Sequence, residues 1–189
     1  MAIHFGPRHD YEILNFVTSG QTMVLTNNGT ISVDMYKSGS NSWDTQAYST
    51  IPFTAPCTIE FNKTASAGDD GLSYVMVGWN ADPTADASYG SIDHASYPYT
   101  YNTYYVYNNG NFVGGYAAWD ITKKFYIVYD TDGYIRHYNG STLLYTSAFY
   151  GTGATVYIDS SFYVGNSTNG KLSNVRAIRR SWNGTQYRV

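Results

Sequence analysis

Cysteine is almost missing. Cys57 is the one thiol in 189 residues, so no disulfide can form within this sequence. The bridged framework of small secreted domains is excluded, and so is a cysteine-rich zinc site. Cys57 stands in PFTAPCTIEF, remote in sequence from His4, His9, His94 and His137. It reads as a small buried hydrophobe rather than a nucleophile. Glutamate is as scarce: Glu12 and Glu60 are the whole supply. Charged residues make up 13% and the net charge is −3, which provides no field for a nucleic-acid partner. No apolar run reaches the length of a membrane-spanning helix, so membrane insertion is not expected. No Gly-x-Ser-x-Gly and no Gly-rich phosphate loop is present.

Aromatic residues are abundant instead, at 17%, with 21 tyrosines. Tyrosine suits a pleated surface and also a contact surface, because its flat apolar body ends in a polar tip. The stretch 104–147 alternates aromatic and β-branched runs with Asn109-Gly110, Asp132-Gly133 and Asn139-Gly140. Asn-Gly and Asp-Gly tolerate the positive φ of tight hairpin turns, so this stretch predicts an antiparallel meander. A hairpin is expected over 23–35, with Ile31, Val33 and Met35 on its inner face, and a strand over 58–62. Residues 72–79 are apolar almost throughout and predict a central strand buried on both faces. Residues 80–103 read as a long loop that hides a short strand near 92–97. Further strands are expected at 155–159, 162–165 and 172–178. No helix is predicted. Period-two alternation with turn signals about every ten residues indicates an all-β, antiparallel two-sheet sandwich.

The ends differ from the middle. Residues 1–22 carry Gly6-Pro7 and one short apolar segment, and read as an N-terminal arm or adaptor before a domain over 23–189. Lys171, Arg176, Arg179, Arg180 and Arg188 crowd the last twenty residues as a solvated strand or as a basic docking rim.

Five runs follow one another in a familiar order: SWDTQAYSTIPFTAPCTIEF, YVMVGWNADPTADASYGSIDHASYPY, YYVYNNGNFVGGY, FYIVYDTDGYIRHYNGSTLLYTS and DSSFYVGNSTNGKLSNV. Together they resemble a concanavalin A-like lectin/glucanase jelly roll, in the form found on bacteriophage virion proteins such as tail fibres and capsid decorations. The resemblance covers residues 31–175. It implies a jelly-roll sandwich on the virion surface, with other virion proteins as partners and glycans as candidate ligands. Release by cell lysis fits the missing signal peptide. A closed homo-oligomer, with a trimer favoured, is the expected assembly. Attachment is expected through the arm, by Phe5, Arg8, Tyr11, Ile13 and Phe16, or through Arg179 and Arg180.

Glycosidases of this fold use paired carboxylates, commonly as Glu-x-Asp-x-x-Glu on one strand. Here Glu60 stands alone in TIEFN, so no hydrolase and no catalytic residue are expected. Sugar recognition needs an aromatic platform beside a few polar groups. Trp79, Asn80, Asp82, Tyr89, Asp93, His94, Tyr97, Tyr99 and Tyr101 supply both in one stretch, and Trp119 joins them. The competing reading is that these rings pack as core. No cofactor is expected. Asp69, Asp70, Asp82, Asp86 and Asp93 carry the hard oxygens that Ca²⁺ takes, but without EF-hand spacing they read as loop acids. The expected role is a non-enzymatic, lectin-like domain decorating a capsid or tipping a fibre. A free-standing glycan-binding adhesion module is the alternative, and a glycoside hydrolase is a third.

Overall fold

A computed structural model describes residues 10–63, 74–100, 103–117, 119–163 and 170–188. Two seven-stranded antiparallel sheets face each other. The front sheet runs β1 (Phe16–Ser19), β4 (Thr45–Ser49), β13 (Tyr157–Phe162), β6 (Val75–Asn80), β7 (His94–Thr100), β8 (Thr103–Asn108), β9 (Asn111–Ala117). The back sheet runs β12 (Thr142–Thr146), β11 (Ile135–Asn139), β10 (Phe125–Tyr129), β5 (Cys57–Lys63), β14 (Lys171–Ile178), β3 (Val33–Lys37), β2 (Met23–Thr26). A hairpin of β15 (Ser181–Trp182) and β16 (Tyr187–Arg188) lies outside the two sheets. The expected sandwich is the fold observed.

Strand alternation fills the space between the sheets. Val75, Val77 and Trp79 of β6 point inward, toward Ile59 and Phe61 of β5 and Phe125, Ile127 and Tyr129 of β10. Tyr104 stacks on Phe125 at 5.5 Å between ring centres, and Phe125 stacks on Phe61 at 5.3 Å. Such pairs add about 0.5–1.5 kcal/mol each beyond the burial of their area. β6 is the middle strand of its sheet and is buried along its whole length, as its apolar run predicts. Gly78 is required there. A Cβ at this position would lie 1.8 Å from the carbonyl oxygen of His94 on the paired strand. Cys57 is fully buried, as its context predicts, and burial pushes its thiol pKa up.

Several expectations need correction. The stretch 104–147 is not one meander. β8 and β9 belong to the front sheet, and β10, β11 and β12 to the back. The chain crosses between them near Trp119, which packs on Phe125. Local turn chemistry sets each hairpin but carries no information about which sheet a hairpin joins. Asn109 and Gly110 do adopt positive φ in the β8–β9 turn. Asn139 instead ends β11 with a buried side chain that accepts the Asp120 N–H at 2.6 Å. The strand expected at 155–159 runs on through Phe162 as β13, and the rest of the strand expected at 162–165 lies, beyond Tyr163, outside the described residues. The polar centre of β13 is satisfied inside the sandwich, because Ser160 Oγ donates to the Ala47 carbonyl at 2.7 Å. The hidden strand near 92–97 exists as β7, two residues further on. Ile31 precedes β3 and is 47% exposed rather than inward.

The described part of the expected arm lies on the sandwich. β1 pairs with β4, Leu14 is fully buried, and the Glu12 N–H donates to Ala177 O at 2.9 Å. Phe16, offered above as an attachment residue, is 4% exposed and packs in the core. Arg179 is held by Glu12 at 2.9 Å and sits over the Phe53 ring. Ile13 remains exposed at 59%, while Phe5 and Arg8 lie outside the described residues.

Candidate functional site

The face of a strand opposite its core side must be covered or must meet solvent. On the front sheet, alternation sends Met76 of β6, Tyr97 and Tyr99 of β7, and Tyr105 and Tyr107 of β8 outward. Tyr97 faces Tyr105 directly in the register. Tyr74 before β6, Tyr163 after β13, Trp43 before β4 and Tyr89 in a short 3-10 turn (Tyr89–Ser91) complete the walls. The result is a cavity of about 550 Å³ in which every lining residue except Met76 is aromatic and none is charged.

The rings brace one another. Tyr99 stacks on Tyr105 at 5.4 Å, and Tyr97 lies 5.2 Å from Tyr99. Trp43 meets Tyr89 edge-on at 5.0 Å and lies 5.5 Å from Tyr163. Phe112 of the edge strand β9 extends the surface, edge-on to Tyr105 at 5.3 Å. Burial, reinforced by the neighbouring tyrosines, raises the pKa of Tyr97 and of Tyr107. Both hydroxyls therefore stay protonated at neutral pH, able to donate and to accept.

Trp43 is positioned from inside the sandwich. Lys37 of β3 is fully buried, and its Nζ donates to Ser42 O at 2.7 Å and to Asp44 Oδ1 at 2.8 Å. These acceptors flank Trp43 in sequence, so one buried ammonium fixes both ends of the segment that carries it. Hydrogen bonds from Lys37 and then Ser42 hold the Asp44 carboxyl well below the usual carboxylate range.

Of the sequence candidates, Tyr89, Tyr97 and Tyr99 come together in this cavity. Trp79 does not. It is fully buried, and its Nε1 donates to Ile127 O of the back sheet at 3.2 Å, so it is core. Trp119 is 7% exposed, packs on Phe125, and donates to Thr103 O at 3.3 Å. Asn80 is buried with Asp159, donating to its Oδ2 at 2.8 Å. Asp82 borders a different cavity of about 500 Å³, with Val17, Tyr48, Pro83 and Tyr157. Asp93 ties down the loop, accepting from Ala81 N at 2.9 Å and from the Tyr150 hydroxyl at 2.7 Å. His94 points inward, edge-on to Tyr150 at 4.8 Å, and burial lowers its pKa. Tyr101 lies outside the described residues.

Sequence reasoning missed Trp43, Tyr74, Tyr105, Tyr107 and Tyr163. The alternation in HASYPYT and TYYVYN already places Tyr97, Tyr99, Tyr105 and Tyr107 on faces of fixed parity. Strand pairing then makes those faces one surface. Trp43 and Tyr163 carry no such signal, since only tertiary packing brings them alongside.

The groove lining contains no carboxylate and no imidazole. The loop acids are engaged locally: Asp86 Oδ1 accepts from Ser88 N at 2.7 Å and from Ser91 Oγ at 3.1 Å. Among the described residues no group of three His, Cys, Asp or Glu side chains could hold a metal ion, and Asp69 and Asp70 lie outside them. Glu60 lies on the far face of the sandwich.

No protein-family model and no curated protein matches the chain. Solved structures do. The exoplasmic/lumenal domain of VIP36, in a form bound to Ca²⁺ and mannose, superposes with a TM-score of 0.57 at 11% identity, over 92% of this chain and 89% of that one. The PSpry domain of TRIM65 gives 0.58 at 13% identity, over 87% and 89%. A Bacillus subtilis protein of unknown function with a galectin-like fold gives 0.54 at 13% identity, over 87% and 90%. At such identities the likeness concerns architecture, and it shows this chain to have a lectin-like jelly-roll fold.

Proposed function

We propose that the chain is a non-enzymatic carbohydrate-binding domain that holds a neutral glycan in the aromatic groove of its front sheet. The observation that carries this reading is the lining itself, about 550 Å³ bounded by tyrosines and Trp43 with no charge. Aromatic rings take the C–H faces of pyranoses, and tyrosine hydroxyls exchange hydrogen bonds with sugar hydroxyls. A charged ligand would lose hydration there with no counter-ion to replace it. A domain of the same fold, that of VIP36, is found with mannose bound, which supports this class of ligand. A glycan array followed by calorimetry tests the proposal. Wild type should retain neutral glycans, and Trp43→Ala and Tyr99→Ala should each weaken them by about tenfold or more, the loss of one stacking partner. No retention of any glycan would remove it.

The finer placement is the surface of a phage particle, as a capsid decoration or fibre tip in contact with other virion proteins and assembled as a trimer. The resemblance over residues 31–175 is its support. Mass spectrometry of purified particles tests the placement, and light scattering of the purified chain tests the trimer. A chain absent from particles, or monomeric in solution, removes the corresponding element.

A further inference from the structure

A third cavity, of about 290 Å³, lies on the outer face of the back sheet beneath the β15–β16 hairpin. It lies on the face opposite the aromatic groove. Its floor is Glu60 of β5 and Tyr126 of β10, and its walls include Tyr11, Trp182 and Tyr187. Trp182 stacks on Tyr126 at 4.5 Å with the rings nearly parallel. Lys124, Arg180, Thr185 and Gln186 complete the lining.

Glu60 is 2% exposed and already satisfied. Its Oε1 accepts from Lys124 Nζ at 2.9 Å, and its Oε2 accepts from the Tyr187 hydroxyl at 2.8 Å. That arrangement fastens the C-terminal hairpin to the sheet, and it explains Glu60, Lys124 and Tyr187. It does not explain the guanidinium groups. Arg176 lies over the Tyr11 ring at 5.1 Å and reaches Glu60 only at 3.8 Å, and its buried Nε has no hydrogen-bond partner. Among the described residues Arg180 makes no side-chain hydrogen bond and no ion pair, although it lines the cavity. The cavity lining holds Lys124 and Arg180 against the single carboxylate of Glu60, with Arg176 beside that carboxylate, so the site has excess positive charge.

We propose that this cavity is a second binding site, for a single acidic sugar ring of the uronate class. Arg180 offers the planar fork that a carboxylate fits. Tyr126 and Trp182 spend one face on each other, so Tyr11 and their remaining surface offer apolar wall to the ring, and Thr185 and Gln186 offer partners for hydroxyls. The volume sits at the small end of ligand pockets, suited to one ring rather than a chain. The two faces of the sandwich then differ in ligand charge: neutral in front, anionic behind.

Nuclear magnetic resonance of the ¹⁵N-labelled full chain, titrated with glucuronate at fixed ionic strength, tests this. Glucose supplies the ring without the carboxylate, and acetate the carboxylate without the ring. Glucuronate should shift the Trp182 indole N–H saturably, with glucose and acetate each at least about tenfold weaker, since each lacks one half of the recognition. Arg180→Gln should weaken glucuronate by about tenfold or more, as loss of a charge-assisted pair does. Arg180→Lys should fall between, and it carries the test if Arg180→Gln fails to fold. Tyr99→Ala should leave glucuronate binding unchanged, which separates this site from the groove. The proposal is overturned if Trp182 does not respond, if glucose or acetate binds as well as glucuronate, or if both Arg180 variants bind like wild type.

Discussion

The two outer faces of the sandwich are built by the same alternation and end in opposite states. In front, β6, β7 and β8 turn Met76 and a ladder of tyrosines outward into an open groove without charge. Behind, β5, β10 and β14 turn Glu60, Tyr126 and Arg176 outward, and the chain folds back over them with Trp182 and Tyr187. One carboxylate makes the difference. A buried Glu60 must be paired, and its pairing with Lys124 and Tyr187 draws the hairpin down. Tyrosines impose no such demand, because a phenol at a groove wall satisfies its hydroxyl with water or ligand.

The largest effect should come from removing that carboxylate. Glu60→Gln should cost about 3 kcal/mol in chemical denaturation, toward the lower end for a broken buried pair because Lys124 still reaches water. Glycan binding in front should stay intact. Loss of glycan binding together with stability would mean that the two faces are not independent.

The acid limb of stability should be next. His137 of β11 is fully buried between the sheets. Its Nδ1 lies 2.7 Å from the Tyr104 hydroxyl, its Nε2 has no partner, and burial, with His94 nearby, pulls its pKa down to about 3. Around the two histidines stand Asp93, Ser96, Tyr104, Asn108, Tyr145 and Tyr150. A depressed histidine stabilises the fold fully above its unfolded value near 6.5, and that contribution is lost as pH falls toward 3. The histidine's own contribution should therefore fall by about 1 kcal/mol per pH unit below pH 6.5, offset by Asp159 until about pH 4, so the slope is read in an Asp159→Asn background. His137→Phe should flatten that slope, and an unchanged slope would place the sensitivity elsewhere.

Asp159 gives the opposite sign under the front face. Burial pushes its carboxyl up to about 7, against the hydrogen bonds from Asn80 and the Ser160 N–H. Its contribution is full below about pH 4 and is lost as pH rises through 7. Asp159→Asn should raise stability at neutral pH by about 1–2 kcal/mol while changing little at pH 4. A melting series across that range checks the crossover. The smallest stability change belongs to the groove. Tyr99→Ala should cost less than about 1 kcal/mol at this partly exposed position, yet lose glycan affinity by tenfold.

How much of this was legible in the sequence follows from what each signal encodes. Period-two alternation and Asn-Gly turns exposed the strands and the sandwich, because both are local. Sheet membership was not legible, since nothing local to 104–147 says that the chain leaves the front sheet near Trp119. The site was half legible. Tyr89, Tyr97 and Tyr99 lay in the stretch singled out, but Trp79 shares that stretch and points the other way, into the core. Trp43 was invisible because its place depends on Lys37, a lysine that reads as surface and is wholly buried. Arg180, which reads in the sequence as part of a basic docking rim, lines the cavity beneath the C-terminal hairpin, because that hairpin folds back over Glu60.

The most direct test uses the indole N–H signals of Trp43 and Trp182 as reporters of the two faces. The protein is titrated with the strongest neutral glycan retained on an array. A neutral-glycan groove predicts a saturable shift at Trp43 with Trp182 unmoved. Saturation at Trp182 with Trp43 unmoved, or no shift at either indole, would contradict it.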